Sequence, residues 1–248
     1  MRDVTAPIIG FFRPVADDNV SGNFLINVSV NDTVSATKVN LTIFNNTGNA
    51  TSFIPLTLGA GNDVVGYWNT TFDGTALVNG NYNITANVTD FAGRQILSNI
   101  SEFTIDNQAP NNSIIVPVAG ANISGLMLVN ASVNHTGDVA FANVTLFNNT
   151  GNATGLILMT LGAGTNKIGY WNATIDTVIL VPIDGHYNVS VNATDIALNI
   201  NISENVSITM DNTLPNASVF SLANDTTQKN MILINASVND TTSGILNV

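Results

Sequence analysis

The segment Thr-Leu-Gly-Ala-Gly occupies residues 57–61 and returns at 160–164, and Gly-Tyr-Trp-Asn at 66–69 returns at 169–172. "NYNITANVTDFA" at 81–92 answers "HYNVSVNATDIA" at 186–197 after a two-residue insertion. "INVSVND" at 26–32 recurs as "VNASVNH" at 129–135 and as "INASVND" at 234–240, while "DNQAP" at 106–110 answers "DNTLP" at 211–215. A chain written this way must fold as beads: two whole units of about 103–105 residues and the opening of a third. Units that long are domain-sized, unlike the 20–50-residue repeats of solenoids. The expected boundaries are 1–106, 107–211 and a partial third unit at 212–248. A piece of roughly 35 residues is too small to bury a core alone. Either the chain runs on into more repeats, or a neighbouring molecule completes the fragment by strand complementation.

Within each unit the hydrophobic period is two. In "NYNITANVTD" the residues Tyr82, Ile84, Ala86 and Val88 fall on one face, and Asn83, Thr85, Asn87 and Thr89 on the other. Such alternation marks half-buried antiparallel strands. Seven are predicted in the first unit, near 5–13, 22–31, 37–45, 52–58, 64–72, 81–90 and 95–105, with Gly, Asn, Asp and Pro between them as turns require. Seven short strands in about 100 residues, with no credible helix, predict an all-β class: tandem immunoglobulin-like β-sandwiches. Gly80 before Tyr82 and Gly185 before Tyr187 are placed as in a tyrosine corner, with an ordinary half-buried strand tyrosine as the alternative.

Composition narrows the function classes. There are 6 Lys plus Arg against 17 Asp plus Glu, for a net charge of −11. No basic cluster exists to displace counterions, so nucleic acid is excluded as a partner. Only 9% of residues are charged while 45% are hydrophobic, so another group must keep the surface wet; 39 Asn and 44 Ser plus Thr supply it. With no cysteine there is no disulfide framework or thiolate site. The start, "MRDVTAPIIGFF", lacks the apolar stretch and cleavage site of a signal peptide. The uncharged stretch 107–134 is broken by Pro110, Pro117, Asn122 and Asn130 and does not read as a membrane span.

"YNITANVTDFAG" followed by "FTIDNQAP", and "YNVSVNATDIA" followed by "ITMDNTLP", resemble the immunoglobulin-like repeats of bacterial and archaeal surface proteins. There a strand ending in Thr-Asp precedes an Ala-Gly-Asn-like turn, and Asp-Asn-x-x-Pro joins domains. This chain departs at the turn, with Arg94 where Asn is usual and Leu198 where Gly is usual. The resemblance implies an extracellular adhesin, stalk or filament, itself the partner of its own copies or neighbouring repeats. Dense Asn-linked glycans, for which the Asn-x-Ser/Thr triplets are the candidates, together with the absence of cysteine would fit an archaeal surface better than a typical bacterial one.

The chain carries 26 Asn-x-Ser/Thr triplets, where chance placement gives about seven. In the first unit they are Asn19, Asn27, Asn31, Asn40, Asn45, Asn49, Asn69, Asn83, Asn87 and Asn99. In the second they are Asn111, Asn122, Asn130, Asn134, Asn143, Asn148, Asn152, Asn172, Asn188, Asn192, Asn201 and Asn205, and Asn216, Asn224, Asn235 and Asn239 follow. Strand alternation alone sets Asn and Thr two apart on a polar face, so mere patterning is the alternative to N-glycosylation. Against it, Asn is depleted in strands, and the excess extends into loops at Asn19, Asn45, Asn49, Asn122, Asn148, Asn152 and Asn216. The tract "FNNTGNAT", at 44–51 and again at 147–154, reads as a hairpin tip carrying two of them.

Other chemistry is thin. Asp90 with Asp106, and Asp195 with Asp211, are calcium candidates at a domain junction, as related extracellular repeats use calcium to stiffen linkers; turn-capping aspartates are the alternative. His135 and His186 lack a metal or nucleophile partner spacing. Trp68 and Trp171 read as core residues, with a sugar-stacking platform as the alternative. No triad, acid–base pair or cofactor fingerprint stands out, so no enzyme and no cofactor are expected. Two functions follow: a subunit of an N-glycosylated extracellular filament or stalk, or an adhesin whose loops bind a glycan or another cell.

Overall fold

The alternation places side chains as it predicts. In the computed structural model, which describes residues 3–220 and 235–242, strand Asn23–Asn31 buries Phe24, Ile26, Val28 and Val30 and turns its intervening residues outward. Strand Gly80–Asp90 buries Tyr82, Ile84, Ala86 and Val88 in the same way. Two compact units result, Met1–Ala109 with Ile196–Asn199, and Pro110–Asp195 with Ile200–Val248.

In the first unit one sheet runs in the order Ile8–Arg13, Asn23–Asn31, Val65–Asp73, Thr57–Gly61. The facing sheet runs Asp18–Val20, Ser101–Ile105, Gly80–Asp90, Ala36–Asn45, Gly48–Asn49. Ile26, Leu41, Ile43, Ile84 and Ile105 from both sheets are fully buried between them. Each such side chain stabilises by about 1.5–3 kcal/mol. The second unit repeats this topology strand for strand, with Val129, Val144, Leu146, Val189, Val191, Ile208 and Met210 in its core. The expected all-β sandwich class holds in both units.

Four local features differ from the expectation. The predicted strand near 52–58 is two: Ile54–Pro55 pairs with Asn40 and Leu41, and Thr57–Gly61 pairs with the other sheet. Between them Leu56 is buried and its N–H bonds Val39 O at 2.9 Å, so the chain changes sheets on one apolar residue. The strand near 95–105 also breaks, into Gln95–Leu97 and Ser101–Ile105, which pair with opposite ends of Gly80–Asp90. A three-residue strand, Asp18–Val20, runs parallel to Phe103–Ile105 and is too short for periodicity to reveal. Finally, helical turns do occur: a 3-10 turn at Gly74–Ala76 and one α-turn at Thr177–Leu180. Asp73 and Asp176 cap them by accepting N–H bonds, and the two-residue insertion of the second repeat falls where the longer turn stands.

The third copy pairs Asn216–Phe220 with Asn235–Asn239, Asn216 lying opposite Asn239. That register matches Ile8 opposite Asn31 and Asn111 opposite Asn134 in the complete units. Residues 221–234, including Asn224, lie outside the described residues. No helix among the described residues is long and apolar enough to cross a membrane.

Candidate functional site

Both tyrosine corners close. Tyr82 Oη donates to Val78 O at 2.9 Å, and Tyr187 Oη donates to Ile183 O at 2.8 Å. Each bond pins the loop that enters the longest strand of its unit, and that strand carries a row of sequons on its outer face.

The sequon asparagines fall into three settings. Exposed are Asn31, Asn49, Asn99, Asn111, Asn122, Asn134, Asn152, Asn205, Asn216 and Asn239. Half-buried are Asn19, Asn27, Asn40, Asn45, Asn69, Asn83, Asn87, Asn130, Asn143, Asn148, Asn172, Asn188, Asn192 and Asn201. Asn235 lies on the last described strand. The sheets also set half-buried sequons opposite each other in rungs: Asn27 with Asn69, Asn40 with Asn87, Asn130 with Asn172, and Asn143 with Asn192. Sequence spacing shows neighbours along a strand, about 13 Å apart at i and i+4. Only the register reveals these cross-strand neighbours, whose Cβ atoms stand about 4.5–5.5 Å apart.

"FNNTGNAT" is a hairpin tip in both units. Phe44 pairs with Asn49 and Asn45 with Gly48, as Phe147 pairs with Asn152 and Asn148 with Gly151. Gly48 and Gly151 take φ of 127° and 126°, which side-chain-bearing residues avoid. Asn45 Oδ1 accepts from the Thr47 N–H at 2.9 Å and its hydroxyl at 2.7 Å; Asn148 accepts from Thr150 at the same distances.

The aspartate pairs proposed for calcium do not form. Strands Gly80–Asp90 and Ser101–Ile105 are antiparallel with Gly80 opposite Ile105, so Asp90 and Asp106 stand a strand length apart. The same register, Gly185 opposite Met210, separates Asp195 from Asp211. Asp106 Oδ1 accepts from Asn79 Nδ2 at 2.9 Å and the Gln108 N–H at 3.1 Å, and Asp211 Oδ1 accepts from the Thr213 N–H at 3.2 Å. The Gln108 and Thr213 bonds are local caps two residues on, while the Asn79 bond ties Asp106 to a loop 27 residues earlier.

Asp90 instead meets Asp3 and Asp32, their ligand oxygens all within 4.8 Å of one another and all three residues buried. Arg94 reaches into this cluster. Its N–H bonds Asp90 Oδ1 at 2.9 Å, Nε bonds Asp90 Oδ2 at 2.8 Å, and a guanidinium nitrogen bonds Asp3 Oδ1 at 2.8 Å and the Thr5 carbonyl. Burial opposes ionisation of Asp90, but the hydrogen bonds and positive charge of Arg94 outweigh it and hold the carboxyl below its ordinary range. Hard oxygen donors suit calcium, which takes six to eight of them. Here Asp90 has spent both oxygens on Arg94, and only Asp3 Oδ2 and Asp32 Oδ2 are buried without a partner. Arg94 places a positive charge among these carboxylates. The sequence reading missed Asp3 and Asp32, although each stands at a repeated position, before "TAP" and at the end of "INVSVND".

In the second unit His135 replaces Asp32. It is buried, with Nε2 3.3 Å from Asp195 Oδ2. His186 is exposed, its Nδ1 3.3 Å from Thr209 Oγ1. Trp171 is buried and Trp68 packs against its core half-buried, which removes the sugar-platform alternative for Trp171. A groove of about 270 Å³ in the first unit is walled by Asp17, Asn46, Asn83, Glu102 and Thr104, without a nucleophile beside a base.

A search of curated proteins returned no match. Among solved structures the chain is similar to the fibronectin(III)-like modules of Clostridium thermocellum CbhA, at 14% identity over 83% of this chain and 94% of that one, with a TM-score of 0.45. It is also similar to the chicken CNTN1 FN1-FN3 domains, at 10% identity over 79% and 69% of the two chains, with a TM-score of 0.43. Residues 7–86 match the family model described as a bacterial Ig domain. The first unit carries that match, and the second repeats its β-sandwich topology, so the fold is two immunoglobulin-like β-sandwiches in tandem.

Proposed function

We propose that this chain is a non-catalytic structural segment of an N-glycosylated extracellular filament or cell-surface stalk. The observation that carries the reading is the placement of the sequons. Every sequon asparagine with a described side chain is exposed or half-buried, on strands and loops of both units. A surface so poor in charge needs another hydrophilic layer, and Asn-linked sugar supplies one.

Assembly from like copies has a route in the third copy. In the complete units the strands Asn23–Asn31 and Leu126–Asn134 take Val65–Asp73 and Ile168–Asp176 as next neighbours. Asn235–Asn239 stands in the corresponding register and accepts a strand of that kind from a further repeat or another copy.

Intact-mass measurement before and after deglycosylation tests the coat: a mass near the bare 26.0 kDa in both removes it. Electron micrographs test the assembly, with an axial repeat near one domain length expected. Monomeric chains that bind a ligand on a glycan array would replace the stalk with an adhesin.

A further inference from the structure

Two sequon asparagines place their amide nitrogens against a glycine of the neighbouring strand. A Cβ added to Gly59 would collide with Asn69 Nδ2, and one added to Gly162 would collide with Asn172 Nδ2. Each amide therefore occupies space that only a glycine on the neighbouring strand leaves open. This explains why "TLGAG" and "GYWN" recur in step: the glycine of one and the asparagine of the other are partners across a strand pair. On its other side Asn69 stands opposite Asn27, and Asn172 opposite Asn130, whose Oδ1 atoms are buried. As placed, Nδ2 of Asn69 and of Asn172 packs against the neighbouring strand instead of pointing outward, so a sugar there would have to displace that contact.

The hairpin tips offer the opposite geometry. At Asn45 and Asn148 the hydroxyl and N–H of the sequon threonine hold Oδ1 inward. The amide is planar, so its Nδ2 lies on the far side from those bonds. The tip residues 46–49 and 149–152 are exposed.

We propose that Asn45 and Asn148 are glycan anchors of the two units, and that Asn69 and Asn172 are internal struts that carry no glycan. The proposal rests on the N-glycosylation reading. In the attachment, Nδ2 forms a bond to the anomeric carbon of a sugar delivered as a glycosyl phosphate. The anomeric C–O bond breaks, the phosphate leaves with the electron pair, and one amide proton goes to solvent.

Glycopeptide mass spectrometry of the full chain, secreted from an N-glycosylating host, tests it. Sugar is expected on the Asn45 and Asn148 peptides and not on those of Asn69 and Asn172. Thr47→Ala and Thr150→Ala should each remove one glycan mass. Thr71→Ala and Thr174→Ala, at exposed threonines of the other two sequons, should leave the mass unchanged. Sugar on Asn69 or Asn172, or bare Asn45 and Asn148 in an otherwise glycosylated chain, overturns this assignment alone. A chain without sugar at any asparagine overturns the glycosylated-surface reading and the anchors with it.

Discussion

Arg94 grips Asp90 twice, from its backbone N–H to Oδ1 at 2.9 Å and from Nε to Oδ2 at 2.8 Å, and so places a guanidinium among three buried carboxylates. Removing that cation leaves Asp3 and Asp90 buried beside each other without a counter-charge, which is far costlier than losing a surface pair. Arg94→Ala is expected to lower the first calorimetric transition of the full chain. Calcium should restore part of the loss in the variant, where Asp90 Oδ2 and Asp3 Oδ1 lose their guanidinium partner. The wild type should respond neither to calcium nor to chelation; a midpoint that drops in EDTA would put a metal at the cluster.

Acid should weaken the fold in a defined window. Asp73 is held below the ordinary carboxylate range by the Thr75 hydroxyl and then its N–H, and Asp184 by the Thr213 hydroxyl and then the Asn212 N–H. Asp90 is lowered as well, burial notwithstanding. A carboxyl more acidic in the folded chain adds stability above its unfolded pKa, near 3.8, and loses it as pH falls through the folded value. Denaturation midpoints should be level from neutral pH down to about 5 and fall below about 4. Asp90→Asn should flatten that fall, and a steeper one would contradict the assignment.

Each tyrosine corner should be worth about 1 kcal/mol, the net value of one buried hydrogen bond. Tyr82→Phe and Tyr187→Phe keep the ring packing and delete only the bond to Val78 O or Ile183 O. Urea titration should show a lower midpoint at unchanged slope; no loss would mean that the bond is not made in solution.

Leu198 has φ of 69°, where its counterpart Gly93 has 82°. A side chain in the left-handed region costs about 1–2 kcal/mol, and glycine gives back part of that gain through its freer unfolded chain. Leu198→Gly should therefore stabilise by about 0.5–1 kcal/mol. Unchanged or reduced stability would show that the exposed leucine contributes packing of its own.

What sequence alone determined here is what repetition and period-two alternation encode: most strands, the buried faces of Asn23–Asn31 and Gly80–Asp90, the tyrosine corners and the hairpin tips. These are local or copied signals, and each recurs one repeat later, 103 residues on before the two-residue insertion and 105 after it. Tertiary structure decided everything that depends on which strand lies beside which. Alternation says which face of a strand is apolar but not which sheet it joins, so the switch at Leu56 and the parallel strand Asp18–Val20 were invisible. Register separated Asp90 from Asp106 and gathered Asp3, Asp32 and Arg94 around Asp90 from across the first unit. It likewise turned evenly spaced sequons into facing pairs, and set Asn69 against Gly59 because a Cβ-free backbone is the one surface there that an amide can approach so closely.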